Sequence, residues 1–334
     1  MTADPLRFIA SDVGGTKTIV ALYQRTGGVV ERLALEVYPS QAHAGLSAIL
    51  DSFRVVHPLP VERAVFAVAG PVDGRHATVT NLTWHVDAEA LERRFAIPEV
   101  VLMNDVEALA TVVPCLDPKD LHTLNTGLPV HQGTIAVVAP GTGLGEAYLT
   151  WCGSGYGAHA TEGGHSDFAP ATTQQIHLLQ ALLAERTHVS VEQVCSGSAL
   201  PTLYRFLQST SDLEEAPGVR QVLESVEDPT PMIVQAAVEA RSALCKRTVS
   251  LFAEILGAEL GSFALKVMAT GGIYLGGGMP ARMLPFLETE AFLNAFRSKG
   301  RFEAFLSRVP VQVILNSEAI LRGAALRATG SSAG

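Results

Sequence analysis

The alternation of apolar and polar residues near the start of the chain predicts a β-hairpin. Residues 8–12 form a short apolar run with a polar end, Gly14 and Gly15 follow, and residues 18–23 are again mostly apolar. Two such runs joined by a glycine pair are typical of strand, tight turn and strand. The same reading predicts further strands and helices before residue 114: strands over 29–37, 63–69, 77–81 and 100–104, and helices over 44–55, 87–95 (with Asp87 as N-cap) and 106–113.

The second part of the chain has more helical spacing. Its predicted strands cover 134–139, 145–151, 265–270 and 311–315, and its predicted helices cover 173–185, 197–207, 232–260 and 318–328. Strands and helices therefore mix along the whole chain, which indicates the α/β class. A strand-rich part followed by a helix-rich part predicts two α/β lobes with a cleft between them.

Composition narrows the class of protein. The 334 residues are 48% hydrophobic, enough for a large core in one large domain or two ordinary ones. A net charge of -9, with no long run of Lys or Arg, predicts no binding to nucleic acid or anionic membranes. We find no charge-free apolar stretch of about 20 residues and no signal peptide, so we expect a cytoplasmic protein. The four cysteines are irregularly spaced and predict neither a metal site nor a disulfide framework.

Two glycine turns are candidate phosphate-binding loops. In the sequence DVGGTKT (12–18), glycines let backbone N–H groups approach a phosphate, while Thr16 is a hydrogen-bond donor and Asp12 a candidate ligand of hydrated Mg²⁺. The sequence APGTGLG (139–145) offers a second such turn between two predicted strands. It is not a P-loop, because no Gly-Lys-Ser/Thr follows, nor a Rossmann fingerprint, because a strand follows it. For each turn alone, an ordinary structural turn is the alternative.

Polar side chains at two other places are candidates for sugar chemistry. Asn104 and Asp105 follow a buried strand, and Asp105 is either a proton acceptor or the N-cap of the next helix. Glu162 and His165 flank two glycines, and Glu192 lies further along. Carboxylates accept hydrogen bonds from sugar hydroxyls, and a neutral imidazole both donates and accepts. A surface turn with a satisfied histidine is the alternative.

The order of these motifs gives a more specific signal than any one of them. The chain resembles the bacterial glucokinase family, within the larger actin/hexokinase/Hsp70-like ATPase fold, over nearly its whole length. The resemblance is carried by nine segments: DVGGTKT (12–18), AGPVDG (69–74), TNLTW (80–84), MNDVEALA (103–110), PGTGLGEAYL (140–149), EGGHSDFAP (162–170), EQVCSGSALPTLY (192–204), GGIYLGG (271–277) and KGRFEAF (299–305). EGGHSDFAP and TNLTW are its most specific segments.

The resemblance implies an α/β, two-lobed actin-like/hexokinase-like ATPase fold with an interlobe active-site cleft. The small α/β domain would be discontinuous, 1–113 and 317–334, because the C-terminal helix returns to it, and the large domain would be 114–316. The implied reaction transfers the γ-phosphoryl group of ATP to the 6-hydroxyl of glucose, giving glucose 6-phosphate and ADP at the entry of glycolysis. Mg²⁺ would accompany ATP. Related proteins are commonly homodimers, so we also expect a homodimer.

The resemblance also assigns roles residue by residue. It makes Asp105 the catalytic base. The residues implied in sugar binding are Asn81, Asn104, Asp105, Glu162, His165 and Glu192. Those implied in ATP and phosphate binding are Asp12, Gly14, Gly15, Thr16, Lys17, Gly141, Thr142, Gly143, Gly145, Gly271 and Gly272, the last two on the adenosine side. Asp12 would hold Mg²⁺ through water.

Three positions depart from the family pattern. Some members have Asn at the position of Lys17, Arg at that of Ile19 and a small polar residue at that of Glu107. Lys17 is more typical of the related repressor/kinase branch, but that branch has a cysteine-rich zinc loop near its sugar-binding histidine, and no cysteine cluster surrounds His165.

Three alternatives to an ATP-dependent glucose kinase remain open in the sequence. They are a kinase for another hexose, a kinase with another donor such as polyphosphate, and a sugar-sensing regulator on the same fold. Such regulators usually carry an N-terminal helix-turn-helix, for which a hairpin that begins at residue 8 leaves no room.

Overall fold

The computed structural model describes residues 5–213 and 217–330, except for the side chains of Pro217 and Glu224. Its strands, in chain order, are β1 (Leu6–Val13), β2 (Lys17–Thr26), β3 (Val29–Pro39), β4 (Arg63–Val68), β5 (Val72–Asp73), β6 (His76–Thr78), β7 (His85–Asp87), β8 (Glu99–Asn104), β9 (Leu121–Asn125), β10 (Ile135–Pro140), β11 (Leu144–Trp151), β12 (Tyr156–Thr161), β13 (Gly272–Leu275) and β14 (Val311–Ile314).

The α-helices alternate with these strands and become longer in the second part of the chain. They are α1 (Leu46–Val56), α2 (Ala88–Phe95), α3 (Asp105–Val112), α4 (Thr173–Leu183), α5 (Leu200–Thr210), α6 (Pro217–Ser225), α7 (Thr230–Val238), α8 (Ala243–Val267), α9 (Gly278–Arg282), α10 (Leu284–Leu287), α11 (Glu290–Arg297), α12 (Glu303–Leu306) and α13 (Ala319–Thr329). The predicted cap of α2 is confirmed, since the Asp87 carboxylate accepts from the N–H groups of Glu89 and Ala90.

The chain forms two compact units. The first comprises the chain up to Leu116, the segment Leu149–Ala160 and the chain from Asn316 on. The second comprises Asp117–Tyr148 and Thr161–Leu315. The segment Leu149–Ala160, which the expected boundaries put in the large domain, thus groups with the first unit. The expected boundaries at 113 and 317 stay a prediction.

The first unit is built on a five-stranded sheet in the order β3-β2-β1-β4-β8. β1 and β2 form the predicted antiparallel hairpin, with Asp12 opposite Ile19. β4 runs parallel to both β1 and β8, so these three strands all end at one edge of the sheet. Asp12, Val68 and Asn104 lie at or next to those carboxyl ends. The topology therefore gathers three separate parts of the sequence at one sheet edge.

The second unit is built on the strands β11, β10, β13, β14 and β9, which are neighbours in that order in a sheet that β12 extends to six strands. β10, β13 and β14 are parallel, while β9 pairs antiparallel with β14. The long helix α8 packs against α5, α7 and α11 and contributes much of the apolar core, including Phe252, Leu256 and Leu260. α8 is long and apolar enough to cross a membrane, but 72% of its most apolar window is buried inside the protein. Its composition is therefore accounted for by the core that it forms.

In the second unit, two elements of the structure differ from those that the sequence predicts. The helix predicted over 232–260 is two helices, α7 and α8, because Ala240 has a left-handed φ of 53° and Ser242 caps α8 by accepting from the Cys245 N–H. The strand predicted over 265–270 is wrong, since these residues form the last turn of α8 and the segment after it. Met268 ends that helix with a left-handed backbone, and the strand begins at Gly272.

Candidate active site

The first glycine turn joins β1 to β2 and is held by backbone hydrogen bonds. The Gly14 N–H donates to the Lys17 carbonyl at 3.1 Å. Ser40 supports the turn from β3's end, since its hydroxyl donates to the Gly14 carbonyl at 2.7 Å and its N–H donates to the Thr16 carbonyl at 3.0 Å. These hydrogen bonds use the carbonyl groups of Gly14, Thr16 and Lys17. Thr16 and Lys17 are exposed at the tip of the turn.

Asn81 lies beside this turn. It occupies a loop between β6 and β7 and has a left-handed φ of 65°. The loop approaches Gly15 so closely that a Cβ on Gly15 would lie 3.1 Å from the Thr80 carbonyl oxygen and 3.8 Å from the Asn81 Cβ. Gly15 therefore permits the 80–82 loop and the hairpin tip to pack together, which places Asn81 next to the candidate phosphate turn.

Two carboxyl groups lie at the same edge of the first sheet. The pKa of Asp12 is raised to about 7, chiefly by burial and also by the negative charge of Asp105, while the Lys17 cation opposes both effects. The pKa of Asp105 is raised to about 6 by burial. Backbone N–H groups that donate to its carboxylate, chiefly that of Val106, oppose this effect. Carboxyl groups with strongly raised pKa values cluster at functional sites, so both are candidates for a functional role.

Asp105 is the first residue of α3, and it is Asn104 that caps the helix. The Asn104 Oδ1 accepts from the N–H groups of Val106 at 2.9 Å and Glu107 at 3.3 Å. Its Nδ2 donates to the Gly70 carbonyl at 3.1 Å. The alternative interpretation of Asp105 as the N-cap is therefore wrong. The capping role leaves Asn104 one amide hydrogen for a ligand.

The second glycine turn joins β10 to β11 in the second unit. The Gly141 N–H donates to the Gly143 carbonyl at 2.8 Å, and the Gly141 carbonyl accepts from the Gly197 N–H at 2.7 Å. Glu192 braces the turn, because its Oε2 accepts from the Leu144 N–H at 2.8 Å. A Cβ on Gly143 would overlap this carboxylate, so the approach of Glu192 requires glycine there.

Three of the predicted sugar-binding side chains converge in the second unit. The His165 Nδ1 lies 3.4 Å from Glu162 Oε2, and its Nε2 lies 3.7 Å from Glu192 Oε1. The side chains of Glu162 and His165 are 75% and 62% exposed, while that of Glu192 is 28% exposed. Two carboxylates flank one imidazole and keep free hydrogen-bonding capacity, which suits a ligand with several hydroxyl groups. The approach of this cluster to Asn104 and Asp105 stays a prediction.

Gly271 and Gly272 do not lie near the second turn. Gly272 begins β13 and pairs with Ile135, the first residue of β10, whereas the 141–145 turn follows the far end of β10. Five residues of parallel strand separate the two places by roughly 16 Å. Gly271 and Gly272 therefore lie at the opposite end of β13 from the 141–145 turn, which argues against their place on the adenosine side.

Gly276, Gly277 and Gly278 follow the carboxyl end of β13, which is the end nearer to the 141–145 turn. The sequence interpretation did not assign them to the site. The Gly276 N–H donates to the Val138 carbonyl at 2.9 Å, and Gly277 has a φ of 83° and precedes α9. A cavity of about 420 Å³ lies alongside, between α7 and α9, with Val234, Val238 and Met279 as apolar lining and Gln235, Glu239 and Arg282 at polar positions. The run of three glycines after an apolar run was the available signal.

These features define a class. A glycine hairpin with carboxyl groups at one sheet edge, a second glycine turn in another sheet and a carboxylate–imidazole cluster beside it are the parts of a sugar kinase with an actin-like ATPase fold.

The comparisons with known proteins agree. The glucokinase family model matches residues 9–331. A glucokinase of Nostoc punctiforme is 36% identical over 332 residues, covering 95% of this chain and 97% of that protein. A crystal structure of a glucokinase from an Antarctic psychrotroph has a TM-score of 0.82 at 28% identity, covering 97% of this chain and 99% of that one. A glucokinase of Streptomyces griseus from the repressor/kinase branch has a TM-score of 0.62 at 21% identity, covering 97% and 100%, and shares the fold.

The chain belongs to the glucokinase family. It is an ATP-dependent glucose kinase, with ATP and glucose as its substrates. The resemblance noted from the nine sequence segments is confirmed, and so is the actin-like ATPase fold.

Proposed function

We propose that the chain transfers the γ-phosphoryl group of ATP to the 6-hydroxyl of glucose, with Asp105 as the base. The observation that carries the role of Asp105 is its position. Its carboxyl group follows the end of β8 and is not the helix cap, and burial raises its pKa to about 6. The product, glucose 6-phosphate, would enter glycolysis, and we place the reaction in the cytoplasm.

Asp105 would orient the acceptor hydroxyl and take its proton late in the transfer. Phosphoryl transfer has a loose transition state, so positioning and charge neutralisation supply most of the catalysis. A base with a pKa near 6 is mostly ionised at neutral pH and still basic enough to receive a proton. The N–H of Val106 donates to the Asp105 carboxylate at 3.0 Å and fixes its orientation.

The two glycine turns would hold the phosphates of ATP. Gly15, Thr16 and Lys17 offer backbone N–H groups, a hydroxyl and an ammonium at the tip, and the Gly14 N–H closes the turn by donating to the Lys17 carbonyl. Gly141, Thr142, Gly143 and Gly145 offer a second backbone turn, and preorganised donors of this kind stabilise charge that develops during the transfer. Gly276 to Gly278 and the neighbouring apolar cavity would take the adenosine part.

Glucose would be held by the Glu162, His165 and Glu192 cluster, together with Asn81 and the remaining amide hydrogen of Asn104. The carboxylates accept hydrogen bonds from vicinal hydroxyls, and the imidazole supplies one donor and one acceptor. The Streptomyces griseus relative is described in complex with glucose and AMPPNP, a nucleotide, which supports this pair of ligands.

Mg²⁺ fits the first sheet edge. Among residues 5–213 and 217–330, none donates a side-chain hydrogen bond to Asp12, and its charged form is disfavoured by burial and by the negative charge of Asp105. Carboxylate oxygens are the hard ligands that Mg²⁺ prefers, often with water between. Asp12 would hold the ion, which when bound would neutralise charge on the phosphates.

The assembly is proposed to be a homodimer. Exposed apolar residues on the edge strand β3, among them Val29 and Val37, support a surface that another chain covers. Light scattering checks the assembly, and a mass near that of a single 35.3 kDa chain rejects the dimer.

A panel of sugars and phosphoryl donors tests the proposed reaction and its alternatives. We expect ATP with glucose to give the highest kcat/KM, with the new phosphate on the 6-hydroxyl by ³¹P NMR. Mannose, fructose, N-acetylglucosamine and polyphosphate serve as competing substrates in the same assay. A higher kcat/KM for another hexose or for polyphosphate would reassign the substrate, and binding of glucose without turnover of any donor would support a sugar sensor.

A further inference from the structure

A buried carboxyl group, Glu146, lies beneath the sugar-binding turn. Glu146 is on β11 and is 1% exposed. Neither of its carboxyl oxygens has a hydrogen-bond partner among the described residues. A buried charge without a partner is costly, so a carboxyl group in such a place is stable only in its neutral form. The roles proposed above make no use of this group.

The turn that carries Glu162 and His165 rests on β11 through its two glycines. A Cβ on Gly163 would overlap the Glu146 Oε2, and a Cβ on Gly164 would overlap the Leu144 carbonyl oxygen. The Glu146 side chain is therefore in direct contact with the Gly163 backbone. The carboxyl group therefore fills the space that a larger residue at position 163 would need.

Hydrogen bonds of the backbone and of the Thr161 side chain join the same residues. The Thr161 hydroxyl donates to the Glu146 carbonyl at 3.2 Å and accepts from the Gly163 N–H at 3.1 Å. The Glu192 N–H donates to the Gly164 carbonyl at 2.8 Å. Glu146 thus lies under a connected unit that includes all three members of the sugar-binding cluster.

We propose that Glu146 is a positioning residue for glucose binding: its uncharged carboxyl group fills the space under Gly163 and holds the 162–165 turn where Glu162 and His165 face Glu192. This inference rests on the proposed role of these three residues in binding glucose. Ionisation of Glu146 would place an unpartnered charge against Gly163 and displace the turn, so glucose affinity depends on a proton that does not take part in the chemistry.

The charges around Glu146 set the pH at which this happens. Its pKa is raised to about 8, chiefly by burial and also by the carboxylate of Glu259 on α8, while the Lys266 cation on α8 opposes both effects. Cys195 faces the same two carboxyl groups, and Lys299 faces Glu259. Because the folded pKa lies above that of an exposed glutamate, the neutral form contributes stability that is lost as the pH rises through about 8.

The test is the pH dependence of KM and kcat for glucose between pH 6.5 and 9.5. We expect the wild-type KM to rise about tenfold from pH 7 to pH 9, because roughly one molecule in ten keeps the proton at pH 9. The kcat at saturating glucose should change much less than KM. In Glu146→Gln, an uncharged side chain of the same shape, KM should stay near its pH 7 value throughout. An equal alkaline rise in Glu146→Gln overturns the proposal.

Two further variants shift the transition in opposite directions. Glu259→Gln removes a charge that raises the pKa of Glu146, so the rise in KM should move to lower pH. Lys266→Gln removes a charge that lowers it, so the rise should move to higher pH. A purely structural role for Glu146 predicts no such opposed shifts, and shifts in one direction only would contradict the proposal.

Calorimetric titration with glucose separates this inference from the proposed reaction. A wild-type affinity for glucose that weakens above pH 8 and does not weaken in Glu146→Gln supports the inference even if no phosphorylation is seen. A pH-independent affinity in a protein that phosphorylates glucose overturns the inference and leaves the reaction standing.

Discussion

Replacement of Asp105 by asparagine is expected to lower kcat by about 10²–10⁴-fold, the size of a general-base contribution, while glucose and ATP still bind. The amide keeps a hydrogen-bond acceptor near the Val106 N–H but has no capacity to take a proton at neutral pH. The other proposed binding groups are unchanged. Stopped-flow or coupled measurement of kcat, with glucose affinity measured by calorimetry, checks both parts.

The control for this variant is stability. Because Asn104 caps α3 and Asp105 does not, Asp105→Asn should unfold at the wild-type temperature or slightly above it. Asn104→Ala should instead lose about 1 kcal/mol of stability, the usual cost of losing a helix cap. Near-normal turnover in a stable, glucose-binding Asp105→Asn protein would contradict the catalytic assignment.

The pH profile gives a second readout for the same residue. A protonated base is inactive, so wild-type kcat/KM should fall as the pH drops through about 6, the raised pKa of Asp105. Asp12, with a pKa raised to about 7, adds to the same acid limb. In Asp105→Asn the part of this limb near pH 6 should be absent from the residual activity.

The second large effect is expected for Glu192→Ala, which should raise the KM for glucose by about 10–100-fold. The Glu192 carboxylate accepts from the Leu144 N–H and lies near the His165 imidazole. Hydrogen bonds to a charged group contribute about 1.5–3 kcal/mol each, and the truncation leaves the Leu144 donor and the sugar hydroxyls without their acceptor. Glu192→Gln should have a smaller effect, because its amide oxygen still accepts from Leu144.

Glu185→Ala is the matched control. It removes a carboxylate of the same size from an exposed position just after α4 and makes the same change in net charge. Its KM for glucose should equal that of the wild type. A KM for Glu192→Ala within twofold of the control would remove Glu192 from the glucose site.

Much of the fold follows from local patterns. The β1–β2 hairpin, the parallel strands β4 and β8 and the cap at Asp87 are all predictable, because an apolar run, a glycine pair or a capping side chain identifies each within a few residues. The glucokinase resemblance adds the order of the motifs. The convergence of Glu162, His165 and Glu192 needed the structure, since it depends on how β11 and the 162–165 turn pack.

The errors have physical causes too. Asn104 and Asp105 are both good N-caps, and only the start of α3, one residue earlier than predicted, decides between them. The segment 265–270 has an alternation that fits a strand, but its first residues are the last turn of α8, where Leu265 and Val267 pack partly buried against the core. Glu146 left no local signal, because its burial depends on Gly163 and on α8.

ATP-dependent phosphorylation of glucose can be followed directly with a labelled phosphate. Purified protein is incubated with glucose, Mg²⁺ and ATP labelled in the γ-phosphate, and labelled glucose 6-phosphate is quantified over time beside Asp105→Asn. We expect one glucose 6-phosphate for each ADP with the wild type and a rate at least about 10²-fold lower with the variant. Absence of glucose 6-phosphate from the wild-type reaction would contradict this expectation.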